Sequence, residues 1–232
     1  MNAWLTFSLI LLGIWIVIWL IQPKLRKEMM WASILTAPFG LTEPIFVPEY
    51  WSPPSLFNLA ARTGYDIESL IFSFAVGGIA AVLYETFMRV KHVKMTKHEM
   101  NPSRHRLHLL ALISPSLAFV FIYFITDINP IYSASIAMAF GAFAAMLCRL
   151  DLIHKIVWGA LFFLTLYFLF FMAFSLVYPG IVEQVWNLKA ISGILILGVP
   201  LEELMFALTF GALWSSYYEH INWYKLMKSY PV

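Results

Sequence analysis

From Gly198 to His220 the chain reads GVPLEELMFALTFGALWSSYYEH, an apolar run of membrane length with two adjacent carboxylates, Glu202 and Glu203, near its start. About 20 consecutive apolar residues cross a bilayer as a helix. An ionisable group inside such a run is costly and marks a functional site by default. Pro200 stands just before the pair, where a helix can begin. The run has an earlier copy, Gly64 to Glu85, GYDIESLIFSFAVGGIAAVLYE. Without a gap, Gly64, Glu68, Leu70, Phe72, Gly77, Tyr84 and Glu85 match Gly198, Glu202, Leu204, Phe206, Gly211, Tyr218 and Glu219, seven identities in 22 positions. Glu49 maps onto Glu183 at the same spacing. The chain reads as a duplicated membrane unit whose acidic helix starts face each other.

The rest of the chain is apolar enough to be organised in the same way. Charged residues make up 12% of it, against about 25% in soluble domains. The fold class expected is all-α, a polytopic membrane protein with seven transmembrane helices. The spans are Trp4–Ile21, Met29 to about Leu41, Asp66 to about Met88, Leu107–Ile125, Ile131–Leu147, Leu152–Val177, and one within Ile191–Tyr218. Between the second and third spans, Thr42–Phe57 carries four prolines, which exclude a regular helix. Its Tyr50–Trp51 pair suits a membrane interface. Phe57–Arg62 is expected to form a short surface helix. Spans one to three form one repeat (residues 1–90) and spans five to seven the other (130–232). A basic loop and linking helix (91–129) join them. Because a fourth span intervenes, the copies run parallel, related by a pseudo-twofold axis along the membrane normal.

Charge sets the orientation. Thirteen of the 15 Lys and Arg residues fall on one side of this arrangement, and only Arg62 and Lys189 on the other. The positive-inside rule then puts the N-terminus outside and the C-terminus in the cytoplasm, in the plasma membrane. The first span lacks a basic start and a small-residue cleavage site, so it reads as an anchor rather than a removed leader.

Several function classes are excluded. Cys148 is alone, so no internal disulfide exists. His105 and His108 share a helical face if their loop is helical, but beside Arg104 and Arg106 they are not read as ligands. No metal or other cofactor is expected. There is no glycine-rich nucleotide motif. The basic loop Arg89–Arg106 is explained by topology and lipid headgroups, not by nucleic acid. A retinal protein needs a lysine inside a span, and Lys155 and Lys189 read as terminal. Asp66, Asp127 and Asp151 lack the paired spacing of a magnesium-dependent prenyltransferase.

The acidic helix starts then carry the chemistry. A first-turn carboxylate is favoured by the helix dipole, so Glu68 and Glu202 can serve as caps. Two buried acids side by side raise at least one pKa, and a carboxylic acid kept neutral near pH 7 donates a proton. Phe72 and Phe206 lie four residues after Glu68 and Glu202, on the same face, and an aromatic face stabilises a cation in a dry site. Glu85 and Glu219 read as groups at the cytoplasmic interface. An acid, aromatic walls and access from lipid suit acid-catalysed chemistry on an apolar alkene.

The segment GVPLEELMF resembles the Pro-x-Glu-Glu motif of the integral-membrane lycopene cyclases, built as paired three-helix domains. The resemblance implies cyclisation of the linear ends of a carotenoid or isoprenoid without net redox change. By position, the motif residues are Pro200, Glu202 and Glu203. The first copy departs from it, with Asp66-Ile67-Glu68-Ser69 in the matching place. The roles implied are Glu202 or Glu203 as acid, with Glu68 as base or second acid. Phe72, Phe206, Tyr50 and Trp51 would shield the ring cation, and Pro200, Asp66, Glu43 and Glu49 would complete the substrate site. The partners implied are the bilayer and an apolar polyene; oligomeric state stays open. The alternative is a non-enzymatic isoprenoid or lipid carrier, or an assembly partner, on the same scaffold.

Overall fold

A computed structural model describes residues 2–228. Eight helices carry the architecture: α1 (Ala3–Ile21), α2 (Arg26–Thr36), α3 (Ile67–Met88), α4 (His108–Ile125), α5 (Pro130–Cys148), α6 (Ile153–Val177), α7 (Leu201–Trp214) and α8 (Tyr217–Asn222). Five helical stretches are long and apolar enough to cross a membrane: Ala3–Ile21, Ile67–Met88, Ser103–Ile125, Pro130–Cys148 and Leu150–Val177. The other two expected spans are shorter. Helix α2 has 11 residues and continues into a 3-10 segment, Ala37–Thr42, where Pro38 follows its last turn. Helix α7 has 14, because Leu195–Ile196 and Val199–Pro200 fold into a small hairpin before it.

Helix α3 packs against α1 and α2, and α7 packs against α5 and α6. The glycines matched between the copies make this possible. A Cβ at Gly77 would collide with Thr36 on α2, and one at Gly211 would lie 2.8 Å from the Phe163 Cβ on α6. Gly64 and Gly198, also matched, both take left-handed backbone with φ of 81° and 85°, which favours glycine. Asn2 and Asn129 cap α1 and α5 with their side chains. Asn129 stands 127 residues after Asn2, and Phe163 stands 127 after Thr36. The matched positions of α3 and α7 lie 134 apart, so the second connector absorbs seven further residues.

Helix α4 packs on α5 and exposes Leu109, Phe121 and Phe124, as a helix facing lipid would. The basic loop is not wholly irregular. Its β1 (Val90–Lys94) pairs antiparallel with β2 (Tyr224–Lys228), tying the loop to the C-terminal end. The expected short helix after Phe57 is present as Leu59–Thr63. Thr42–Phe57 contains one helical turn, Glu43–Phe46, consistent with its prolines.

At the end of the molecule that bears β1 and β2, burial adds to one sequence expectation and corrects another. Lys155 stands in the first turn of α6, a terminal position as expected. It is 1% exposed inside the Leu150–Val177 stretch. Its Nζ donates to Glu28 Oε1 (3.1 Å), to Glu219 Oε1 (2.6 Å) and to Glu85. Glu85 and Glu219 are therefore buried partners of a cation rather than interface groups. His92 from β1 closes the cluster, with Nε2 2.5 Å from Glu219 Oε1 and 3.4 Å from Glu28 Oε2. Lys155 stands 127 residues after Glu28, so the matched position is an acid in one copy and its cation in the other.

Candidate active site

Glu202 and Glu203 begin α7 as expected, and their side chains separate because adjacent helical residues diverge by about 100°. Glu203 is buried and accepts three hydrogen bonds. Tyr50 Oη donates to its Oε1 at 2.5 Å, Trp186 Nε1 to the same oxygen at 2.8 Å, and Tyr167 Oη to Oε2 at 2.7 Å. The three donors come from the connectors before α3 and before α7, and from α6. The connectors are aligned by an antiparallel bridge between Trp51 and Trp186. The Ser52 N–H donates to the Val185 carbonyl at 2.7 Å, and the Asn187 N–H to the Tyr50 carbonyl at 2.9 Å. That pairing sets Tyr50 and Trp186 side by side over one carboxylate oxygen. Burial, and then Glu203, hold the Tyr50 hydroxyl well above the ordinary tyrosine range, so it stays a donor.

Glu203 lines a cavity of about 500 Å³ between the two helix groups, within the usual size of small-molecule sites. Phe72, Phe206, Phe210, Tyr167, Tyr50 and Trp51 wall it, with Pro115 and Phe119 of α4 along one side. The rings form a continuous aromatic lining. Tyr167 lies 6.1 Å from Phe206 and 6.5 Å from Phe72, and Phe206 stacks on Phe210 at 5.3 Å. Glu43 also lines the cavity. It is 4% exposed, and neither carboxyl oxygen has a hydrogen-bond partner among the described residues. Burial, and then Asp66, push its carboxyl up to about 8.

The remaining expected site residues stand apart from the cavity lining. Glu202 Oε1 accepts from Tyr132 Oη at 2.5 Å and from the Ser192 N–H at 2.9 Å. Glu68 Oε1 accepts from Asn2 Nδ2 at 2.9 Å and from the Leu56 N–H at 2.7 Å. The matched pair thus makes the same kind of tie twice, joining a preceding helix and the intervening connector to a helix start. The cap of α3 is Asp66, which accepts from the Ser69 N–H. Pro200 is buried in the hairpin before α7. Glu49 is exposed, and only its carbonyl is used, by Asn129 Nδ2 at 2.7 Å. The side chains of these three face a cap, a hairpin and solvent.

Sequence reasoning missed Tyr167, Trp186, Tyr132 and Asn2. A tyrosine in mid-span was the available signal, since a buried phenol needs a partner. The partner itself lies 36 residues away, and no local pattern names it. The Lys155 ammonium sits among the oxygens of Glu28, Glu85 and Glu219, which His92 also approaches.

No curated protein and no solved structure matches the chain. A family model described as Lycopene cyclase matches residues 2–87 and 129–221. The two matched segments hold α1–α3 and α5–α7 and leave out α4. A match over both halves, with the Pro-Leu-Glu-Glu start of α7 inside the second, shows that this chain belongs to the lycopene cyclase family.

Proposed function

We propose that the chain cyclises a linear end of an apolar polyene or isoprenoid by proton transfer, with no net oxidation or reduction. The observation that carries this reading is Glu203, a carboxylate held by three neutral donors at the wall of an aromatic cavity. Family membership supports the reaction class. Glu43 donates a proton to the terminal double bond, since its carboxyl keeps that proton at neutral pH. The tertiary cation so formed is attacked by the internal alkene, which closes the ring and moves the charge to a ring carbon. Phe72, Phe206 and Tyr167 face that charge with aromatic rings. Glu203 removes a proton from the adjacent carbon, leaving a ring double bond and an isomer of the substrate. Three hydrogen bonds hold its carboxyl group at the cavity wall for this step. Glu202 and Glu68 are positioning groups, not the acid and base implied by the motif alone.

The proposed frame is seven spans in two parallel three-helix halves, 1–90 and 130–232, joined by 91–129. The outer connectors, with Glu43 and Tyr50, face outward, and the basic loop lies in the cytoplasm of a plasma membrane. Cysteines placed at the exposed Ser52 and Ser103 are expected to label from opposite sides, and Cys148 is buried; labelling from one side removes this topology. The function itself is tested by pigment analysis of a lycopene-producing host. Cyclised product on expression of the chain supports the enzyme, and unchanged linear pigment in the presence of folded protein overturns it.

A further inference from the structure

At the other end of α5, three potential metal ligands meet outside the proposed active site. Cys148 is the last residue of α5, His108 the first of α4, and His105 lies in the 3-10 turn Ser103–Leu107 before it. The Cys148 Sγ lies 3.5 Å from His105 Nδ1 and also 3.5 Å from His108 Nδ1. All three atoms fall within 4.8 Å of one another. His105 and Cys148 are buried, at 7% and 4% exposure.

Hydrogen bonding leaves this arrangement half explained. A thiol donates weakly to one imidazole nitrogen and accepts weakly from another, yet two nitrogens face it at the same distance. His105 Nε2 is buried without a partner among the described residues. A single cation among the three atoms takes one lone pair from each of them. Zinc binds cysteine sulfur at about 2.3 Å and imidazole nitrogen at about 2.0–2.1 Å, and a tetrahedral angle then separates sulfur from nitrogen by about 3.5 Å. That is the separation found on both sides. A further donor is at hand: His220 of α8 is 1% exposed, its Nε2 has no partner, and its ring centroid lies 4.6 Å from that of His108. Trp223 stacks on His108 at 3.9 Å and fixes its ring. Arg149, next to Cys148, does not oppose a cation with a free charge. Its guanidinium makes two hydrogen bonds to Asp151, at 2.9 and 2.6 Å, and also donates to the Glu219 and Tyr224 carbonyls.

We propose that Cys148, His105 and His108 hold a zinc ion, with His220 beside them for the fourth position. The site pins the linking segment before α4 to the end of α5 and to α8. Its role is structural, since neither it nor its ligands line the proposed substrate cavity.

The test uses the full chain, purified in detergent through a tag free of histidine and without chelator. Elemental analysis is expected to give about one zinc per chain, as a closed structural site holds its metal. Cobalt added to the metal-stripped protein is expected to give a thiolate-to-cobalt charge-transfer band, absent in Cys148→Ser. His105→Asn and His108→Asn are expected to lower zinc content severalfold or more. His98→Asn, an exposed histidine outside the cluster, is expected to leave it unchanged. The wild-type cobalt spectrum stands as a reading independent of whether Cys148→Ser and the two histidine variants accumulate. Wild-type protein with no zinc, and no charge-transfer band on adding cobalt, overturns the proposal. So does zinc content that Cys148→Ser leaves intact.

Discussion

The two ends of this helix bundle hold buried glutamates in opposite electrostatic settings. At the end bearing the starts of α3 and α7, Glu203, Glu202 and Glu68 accept hydrogen bonds from phenols, an indole, an amide side chain and backbone N–H groups, and no cation is paired with them among the described residues. At the opposite end, Glu28, Glu85 and Glu219 surround Lys155, with His92 alongside. Neutral donors hold a carboxylate in place yet leave its proton free to come and go. A buried ammonium fixes the charge and makes the cluster a clamp. The difference teaches that burial of an acidic residue in an apolar helix does not by itself mark chemistry; the partner decides. It also shows how a duplicated chain breaks its symmetry, since the position matched to Glu28 has become Lys155.

The largest effect expected from breaking this comparison is at Glu203. Glu203→Gln keeps the shape but cannot take a proton, and cyclisation is expected to fall by about 10²–10⁴-fold, the usual worth of a general acid or base. Product analysis against protein level checks it; turnover at the parent rate would sink the mechanism. At the Lys155 end the expected loss is in folding. Lys155→Met leaves three buried carboxyls without their cation, at a cost of about 3–5 kcal/mol, read as lost accumulation or a lowered melting temperature. The exchange Glu28→Lys with Lys155→Glu restores an acid and a cation at the matched positions. The double variant should recover much of what Lys155→Glu alone loses.

Glu43 sharpens the contrast through pH. Its folded-state value of about 8 lies above the ordinary 4.5, so the folded chain holds that proton more tightly than the unfolded chain. Its contribution to stability is therefore complete below about 4.5 and is lost as pH rises through about 8. Glu43→Gln is expected to flatten the fall in melting temperature over that window and to reduce turnover at neutral pH. A variant with the parent slope and parent rate would remove Glu43 from the reaction. The smallest effect is expected at the matched positioning pair. Glu68→Gln and Glu202→Gln each weaken two hydrogen bonds, worth about 1–2 kcal/mol in stability, with turnover largely kept. A loss of rate at full stability would return either residue to the chemistry.

The sequence by itself determined the helical membrane architecture, the duplication and the family. Each rests on local or repeated signals. Long apolar runs gave the positions of α1, α3, α4, α5 and α6, and the match of Gly64–Glu85 to Gly198–Glu219 gave the second copy. Prolines in Thr42–Phe57 signalled a connector, and the Pro-Leu-Glu-Glu start of α7 pointed to the family. Only the tertiary structure decided which partners each carboxylate meets. Glu202 and Glu203 are neighbours of equal chemistry, and their separation follows from a 100° turn of the helix combined with partners 153, 36 and 17 residues away for Glu203 and 70 for its neighbour. Glu68 matches Glu202 in both sequence and contacts, yet an acid matched to a cation at Glu28 and Lys155 shows that a repeat need not conserve role. Lys155 is terminal in its helix, but hydropathy does not reveal its burial, and the three glutamates that make that burial tolerable come from three other helices. Cys148 lies 40 residues from His108, with no spacing that joins them, and only the packing of α4 on α5 brings sulfur and imidazole together.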